Sequence, residues 1–247
     1  MRDRRPLIIG AATAAALFLV LLALVLLDGR EPLAVDLWWQ AAVRHLRSPA
    51  ATAVLTVVSD MSSRLIGKLV VPVAVVVGLL THRKRVEALT FAVTVASSAV
   101  IVWVVKDLVA RPRPGVTSLD SFAFPSGHVT NAATVAVLLA VLLSRRWLVA
   151  LALAWAVVMA VSRTYLGVHW LTDTLAGICL GTFLALLAVL VQDTALRLRG
   201  PRTGGERPEL FTTNHRGAER RDSADRAQRR GRTIGAPPPG WSTTSTG

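Results

Sequence analysis

A single cysteine, Cys179, is the only thiol in this chain of 247 residues. One thiol cannot close a disulfide within its own chain, and it cannot build a cysteine-based metal site. The chain also lacks internal repeats and is poor in acid: 15 Asp and Glu stand against 28 Lys and Arg, a formal net charge of +13. Such a surplus would suit nucleic acid as a partner, but its placement argues otherwise. The basic residues fall in short clusters between apolar runs and in the C-terminal tail, where the cytoplasmic bias of membrane-protein loops puts them without DNA or RNA.

What the chain has in abundance is apolar surface. At 53% hydrophobic residues and a mean hydropathy of +0.51 it is too apolar for a soluble globular protein, and it reads as an all-α, polytopic membrane protein. Six apolar runs stand out: Leu7–Leu27, Leu65–Leu80, Val86–Val105, Val129–Leu143, Trp147–Val161 and Leu171–Val191. A span needs about 20 residues, so the shorter runs must borrow from their flanks. The first run follows Met1–Arg5 and exceeds the roughly 7 to 15 residues of a signal-peptide core, which predicts a retained helix with its N-terminus in the cytoplasm. Between the first two runs, Leu33–Leu46 carries a tryptophan pair, charges and leucines at helical spacing. It reads as an interfacial helix in the headgroup layer, with His45 solvated there.

Threading six spans from a cytoplasmic N-terminus places His82–Arg85, Ser144–Arg146 and the tail from Gln192 inside, all basic as expected. Residues 1–195 then form a six-transmembrane-helix bundle. Residues 196–247, rich in Arg, Gly, Pro, Thr and Ser, read as a disordered, basic cytoplasmic tail. The opposite face receives 28–64, 106–128 and 162–172. Basic residues there run against the charge rule and need another reason.

Three clusters on that face supply one. Lys106 closes the third span, and Arg111-Pro-Arg-Pro114 follows, a stiff nonhelical stretch from which Arg113 should project; Arg111 is expected to snorkel to the headgroups. Pro125-Ser-Gly-His128 opens the next helix, with Ser126 near its N-cap and free amides facing the incoming chain, a geometry that favours anions. Ser162–Asp173 joins the last two spans. There His169 and Asp173 are four apart, so on a helix they share a face, and the carboxylate can take one ring proton and leave the other nitrogen a free lone pair. Lys106, Arg113 and Arg163 around a helix start make a site for a compact, highly charged anion such as phosphate. His169 offers a nucleophile and His128 an acid for a departing alkoxide, and nothing in the set requires a metal or other cofactor.

Lys106-x6-Arg113-Pro114, Pro125-Ser-Gly-His128 and Ser162-Arg163-x5-His169-x3-Asp173 resemble the three-part signature of the type 2 phosphatidic acid phosphatase superfamily, which also includes vanadium haloperoxidases. The resemblance covers 106–173 closely and the six-span layout more loosely. It implies that His169 attacks phosphorus to give a phosphohistidine, oriented by Asp173, and that His128 protonates the leaving oxygen and later activates water. It implies that Lys106, Arg113 and Arg163 hold the phosphoryl oxygens together with Ser126 and the Gly127 amide. The expected protein is a multi-pass enzyme of the cell membrane with both termini cytoplasmic and its site on the extracytoplasmic face. Its implied substrate is a lipid phosphate monoester or diphosphate held in the bilayer: phosphatidic acid, phosphatidylglycerophosphate or a polyprenyl diphosphate. Two other readings stand beside it: a protein that binds or transports lipid phosphate without cleaving it, which would need the cations but not the two histidines or Asp173, and a haloperoxidase holding vanadate, whose relatives are typically soluble.

Overall fold

The computed structural model describes residues 4–63, 69–115, 121–143 and 146–198, and every regular element among them is helical. Eight helices follow in order: α1 Arg5–Leu27, α2 Ala34–His45, α3 Pro49–Ser63, α4 Val71–Thr81, α5 Arg85–Val109, α6 Gly127–Leu143, α7 Arg146–Tyr165 and α8 Leu171–Leu198. Six of them coincide with the six apolar runs. Of these, α1, α5 and α8 are long and apolar enough to cross a membrane by themselves. The run predicted over 65–80 is helical from Val71, while 64–68 lie outside the described residues. The last helix passes the boundary expected at Ala195 and reaches Leu198; the tail beyond it also lies outside them.

The outward faces of these helices are apolar. Leu19 and Val20 on α1, Val100 and Trp103 on α5 and Val191 on α8 are all more than half exposed, which water would not tolerate over so wide an area and a bilayer does. The interior is built around α8, which packs against α6 and α1 and, less extensively, against α5 and α7. Small residues permit the close approach to α6. A Cβ at Gly181 would run into the Thr130 carbonyl oxygen and come within 2.9 Å of the Ala133 side chain, and one at Gly177 would lie 2.9 Å from the Ser126 carbonyl oxygen. Small residues at helix contacts are how membrane helices gain packing in a solvent as apolar as their own side chains. Here the contact also sets the start of α6 against the start of α8, where Ser126 donates its amide hydrogen to the Asp173 carbonyl at 3.0 Å.

Two elements go beyond the sequence reading. The stretch 49–63 forms a helix, α3, that the mixed composition concealed; it lies against α7. The helix predicted over 33–46 is present as α2, and the structure adds which of its faces looks inward. Asp36 and Gln40 face inward and are buried with Val43, whereas Leu37 and Trp38 point outward, 53% and 65% exposed. His45 is exposed, as expected.

Gly181→Val should therefore separate α6 from α8 and cost about 1–3 kcal/mol, as overpacking of a close contact does. Thermal unfolding in detergent reads this as a lowered midpoint; an unchanged midpoint would contradict the packing described.

Candidate active site

The site lies where the ends of α5 and α7 meet the starts of α6 and α8. Helix α5 stops at Val109 because Ala110 turns into the left-handed region (φ 50°), sending 111–115 across the end of the bundle. Lys106, in the last turn of α5, donates through Nζ to the Phe122 carbonyl and, at 3.4 Å, to that of Ala123. Arg113 extends from the nonhelical segment as expected. Its Nε donates to the Ser121 carbonyl at 2.7 Å, its Nη2 to Ser121 Oγ at 2.9 Å and its Nη1 to the Val168 carbonyl at 2.7 Å.

That same Nη1 lies 3.2 Å from His169 Nε2. A guanidinium can only donate, so Nε2 is the acceptor and the ring proton sits on Nδ1. Nδ1 faces Asp173 Oδ2 at 3.5 Å, a long contact in which Oδ2 also accepts the Trp170 amide at 2.8 Å. The expectation of a shared helix face needs correction. Gly167, at φ 70° and with Arg47 Nη2 3.1 Å from where a Cβ would be, breaks the chain after α7; α8 starts only at Leu171. His169 thus precedes the helix, and Asp173 reaches back from the first turn of α8 as a cap would.

His169 is 1% exposed and its imidazole is held well below the usual histidine range. Burial is the main cause, reinforced by the positive charges of Lys106, Arg113 and Arg163, with the Ala123 backbone acting in the opposite sense. A neutral ring with Nε2 as its lone-pair nitrogen is the form that can attack an electrophile.

Arg163, at the end of α7, is buried and donates through Nη1 to Ser59 Oγ of α3. Its Nε is buried without a hydrogen-bond partner among the described residues, and so is the hydroxyl of Ser126. Ser126 occupies the N-cap position expected of it, its carbonyl accepting the Thr130 amide at 2.9 Å, yet its Oγ caps nothing. A buried guanidinium N–H and a buried hydroxyl without protein partners, beside further cations, are groups from which an anion can accept. Gly127 and His128 open α6 at this same end of the bundle. Among the described residues no three His, Cys, Asp or Glu side chains gather as metal ligands.

Sequence reasoning misjudged Arg111 and overlooked Asp36 and Ser59. Arg111 does not snorkel: it is fully buried. Its Nη1 donates to Asp173 Oδ1 at 2.7 Å and to Thr172 Oγ1 at 2.8 Å, and its Nη2 donates to Asp36 Oδ2 at 2.7 Å and to the Glu31 carbonyl at 3.0 Å. The signal in the sequence was the lone acid, Asp36, on a helix otherwise suited to an apolar surface.

Known proteins are similar to the chain over the helices that carry this site. The PAP2 superfamily model matches residues 87–197. Phosphatidylglycerophosphatase B of Bacillus subtilis is 29% identical over 168 residues, which are 62% of this chain and 81% of that protein. An undecaprenyl-diphosphatase of Sulfolobus acidocaldarius is 33% identical over 125 residues, 47% of this chain and 60% of the relative. Among solved structures, the transmembrane PAP2-type phosphatidylglycerolphosphate phosphatase from Bacillus subtilis superposes with a TM-score of 0.64 at 25% identity, covering 78% of this chain and 98% of that one. LpxE of Aquifex aeolicus shares the fold with a TM-score of 0.53 at 22% identity, over 64% of this chain and 96% of its own. Residues 87–197 of this multi-pass membrane protein, the region that carries its cationic cup and its His169–Asp173 pair, belong to the PAP2 superfamily.

Proposed function

We propose that this protein is a phosphatase of the cell membrane that hydrolyses a lipid phosphate monoester or diphosphate without a metal, through a phosphohistidine on His169. The observation that carries the reading is the environment of His169 Nε2: a neutral, buried imidazole whose lone-pair nitrogen touches Arg113 and whose other nitrogen faces Asp173. Six spans with cytoplasmic termini would put this site on the extracytoplasmic face. The apolar flank of α5 beside Lys106, where Trp103 and Leu108 are 65% and 73% exposed, supports a substrate whose tails stay in the bilayer. The activities named for the relatives, on phosphatidylglycerophosphate and undecaprenyl diphosphate, support the same class of substrate.

In the first transfer the Nε2 lone pair forms a bond to phosphorus. The bond from phosphorus to the leaving oxygen breaks, its electron pair departs with that oxygen, and His128 supplies the proton. Asp173 balances the charge that develops on the His169 ring. Lys106, Arg113 and Arg163 hold the equatorial oxygens, with the Ser126 hydroxyl and the Gly127 amide donating to them, so that charge gathering in the transition state meets donors already in place. In the second transfer a water oxygen bonds to phosphorus while His128 takes one of its protons. The N–P bond breaks, its electron pair returns to Nε2, and inorganic phosphate leaves.

Phosphate release from a panel of phosphatidate, phosphatidylglycerophosphate and isoprenyl mono- and diphosphates, assayed with purified protein, tests the reading. Release should occur on at least one; binding without release on any would favour a lipid-phosphate carrier instead. His169→Ala should reduce turnover by about 10³-fold or more while leaving folding and lipid binding intact, since the lost group acts only in the chemical step. Retention of most activity would remove the nucleophile assignment. Turnover should persist in EDTA, because fixed cations do the work of a magnesium ion; complete loss that magnesium restores would contradict this.

The pH profile has a definite sign. Attack requires neutral His169, and burial among cations lowers its affinity for protons, so the ring stays neutral below its ordinary value of 6.5. The acid limb of kcat/KM, which reports the free enzyme, should therefore lie below pH 6.5 once the substrate's own ionisation is accounted for. A limb above that value would show that the ring is charged at rest.

A further inference from the structure

We infer that Asp36, on α2 and outside the three-part signature, is a positioning residue for the reaction, acting on His169 through Arg111 and Asp173. The inference rests on the phosphatase reading and extends it to a helix that the signature does not include. Three ionised groups, Asp36, Arg111 and Asp173, lie in a row with their side chains fully buried. Arg111 spans the two carboxylates at 2.7 Å each. Asp36 is saturated in turn: its Oδ1 accepts the Thr172 amide at 2.9 Å and its Oδ2 the Leu33 amide at 3.2 Å.

Two consequences reach His169. Arg111 occupies Asp173 Oδ1, so only Oδ2 is left to face the ring, and the carboxylate cannot rotate to exchange its oxygens. The second consequence is one of charge. A lone guanidinium on Asp173 would cancel the negative charge that the phosphohistidine needs opposite it. Asp36 offsets Arg111, the row as a whole keeps one negative charge, and Asp173 presents that charge to Nδ1. The other charged side chains that act on the ring are Lys106 from α5, Arg113 from the 110–115 segment and Arg163 from α7, all positive; Asp60 of α3 lies beside Arg163, and His128 opens α6 at the same end of the bundle. Among the described residues Asp173 is the one carboxylate in contact with the ring, so neutralising its effective charge leaves none of them to replace it.

The test is Asp36→Asn, which keeps size and most hydrogen-bonding capacity while removing the charge. Turnover is measured per site counted by vanadate titration, which registers only folded enzyme able to bind a phosphate mimic. The expected result is a kcat lower by about 10- to 100-fold, the scale on which supporting residues behind a reactive group act. KM should change by less than about twofold, and the acid limb of kcat/KM should move to lower pH because His169 becomes harder to protonate. Should Asp36→Asn yield no countable sites, Arg111→Lys takes its place, since a lysine keeps the charge but cannot span both carboxylates; the same fall in kcat at constant KM is expected. Unchanged kcat per site with an unmoved acid limb would overturn the inference, and so would the absence of folded sites in both variants, which would make the row scaffold alone. A wild type that releases no phosphate from any lipid overturns the phosphatase reading and the inference with it. An active wild type with an indifferent Asp36→Asn overturns the inference by itself.

Discussion

A guanidinium buried between two carboxylates holds this molecule's working end together. Arg111 joins α2, the segment after α5 and the first turn of α8, and it does so where no water can substitute for any of the three groups. Such a row is costly to desolvate, and removing one member leaves a charge stranded, typically at about 3–5 kcal/mol. Its retention in an otherwise apolar bundle makes sense if position matters more than net stability. The Asp173 backbone also accepts the Ser126 amide, so α6 inherits its placement from the same anchor.

How far this was readable in the chain depends on how far each partner lay along it. The apolar runs of α1 and α4 to α8 announce themselves, since nothing but length and composition is needed to see them. Helix α3 did not, because Thr52, Thr56, Ser59 and Asp60 dilute its apolar face, and the use of Ser59 in accepting from Arg163 lies 104 positions away. Arg111 looked like a headgroup contact because its near neighbours are prolines and a membrane boundary; its partners are 62 and 75 positions distant. The pattern in α2 showed amphipathicity correctly but could not say which face looked inward. The residues of the signature, by contrast, were legible as a set because each sits at the end of a span, and span ends are what a hydropathy pattern locates.

The electrostatics of the cup follow from the same packing. Burial first, and then the three cations around it, disfavour a positive charge on the imidazole and hold it well below the usual histidine range. On the proposed reading a phosphate dianion would relieve the repulsion among the cations and supply acceptors for Arg163 Nε and the Ser126 hydroxyl.

The contact between Arg113 Nη1 and His169 Nε2 carries one more consequence. At rest the Nε2 lone pair is covered by the guanidinium, so in the proposed reaction an incoming phosphoryl group would have to draw that arginine onto its own oxygens before the nitrogen is uncovered. The ring would thereby be masked against electrophiles that carry no negative oxygens, and the same group would bring both the phosphorus to be attacked and the charge that lifts the mask.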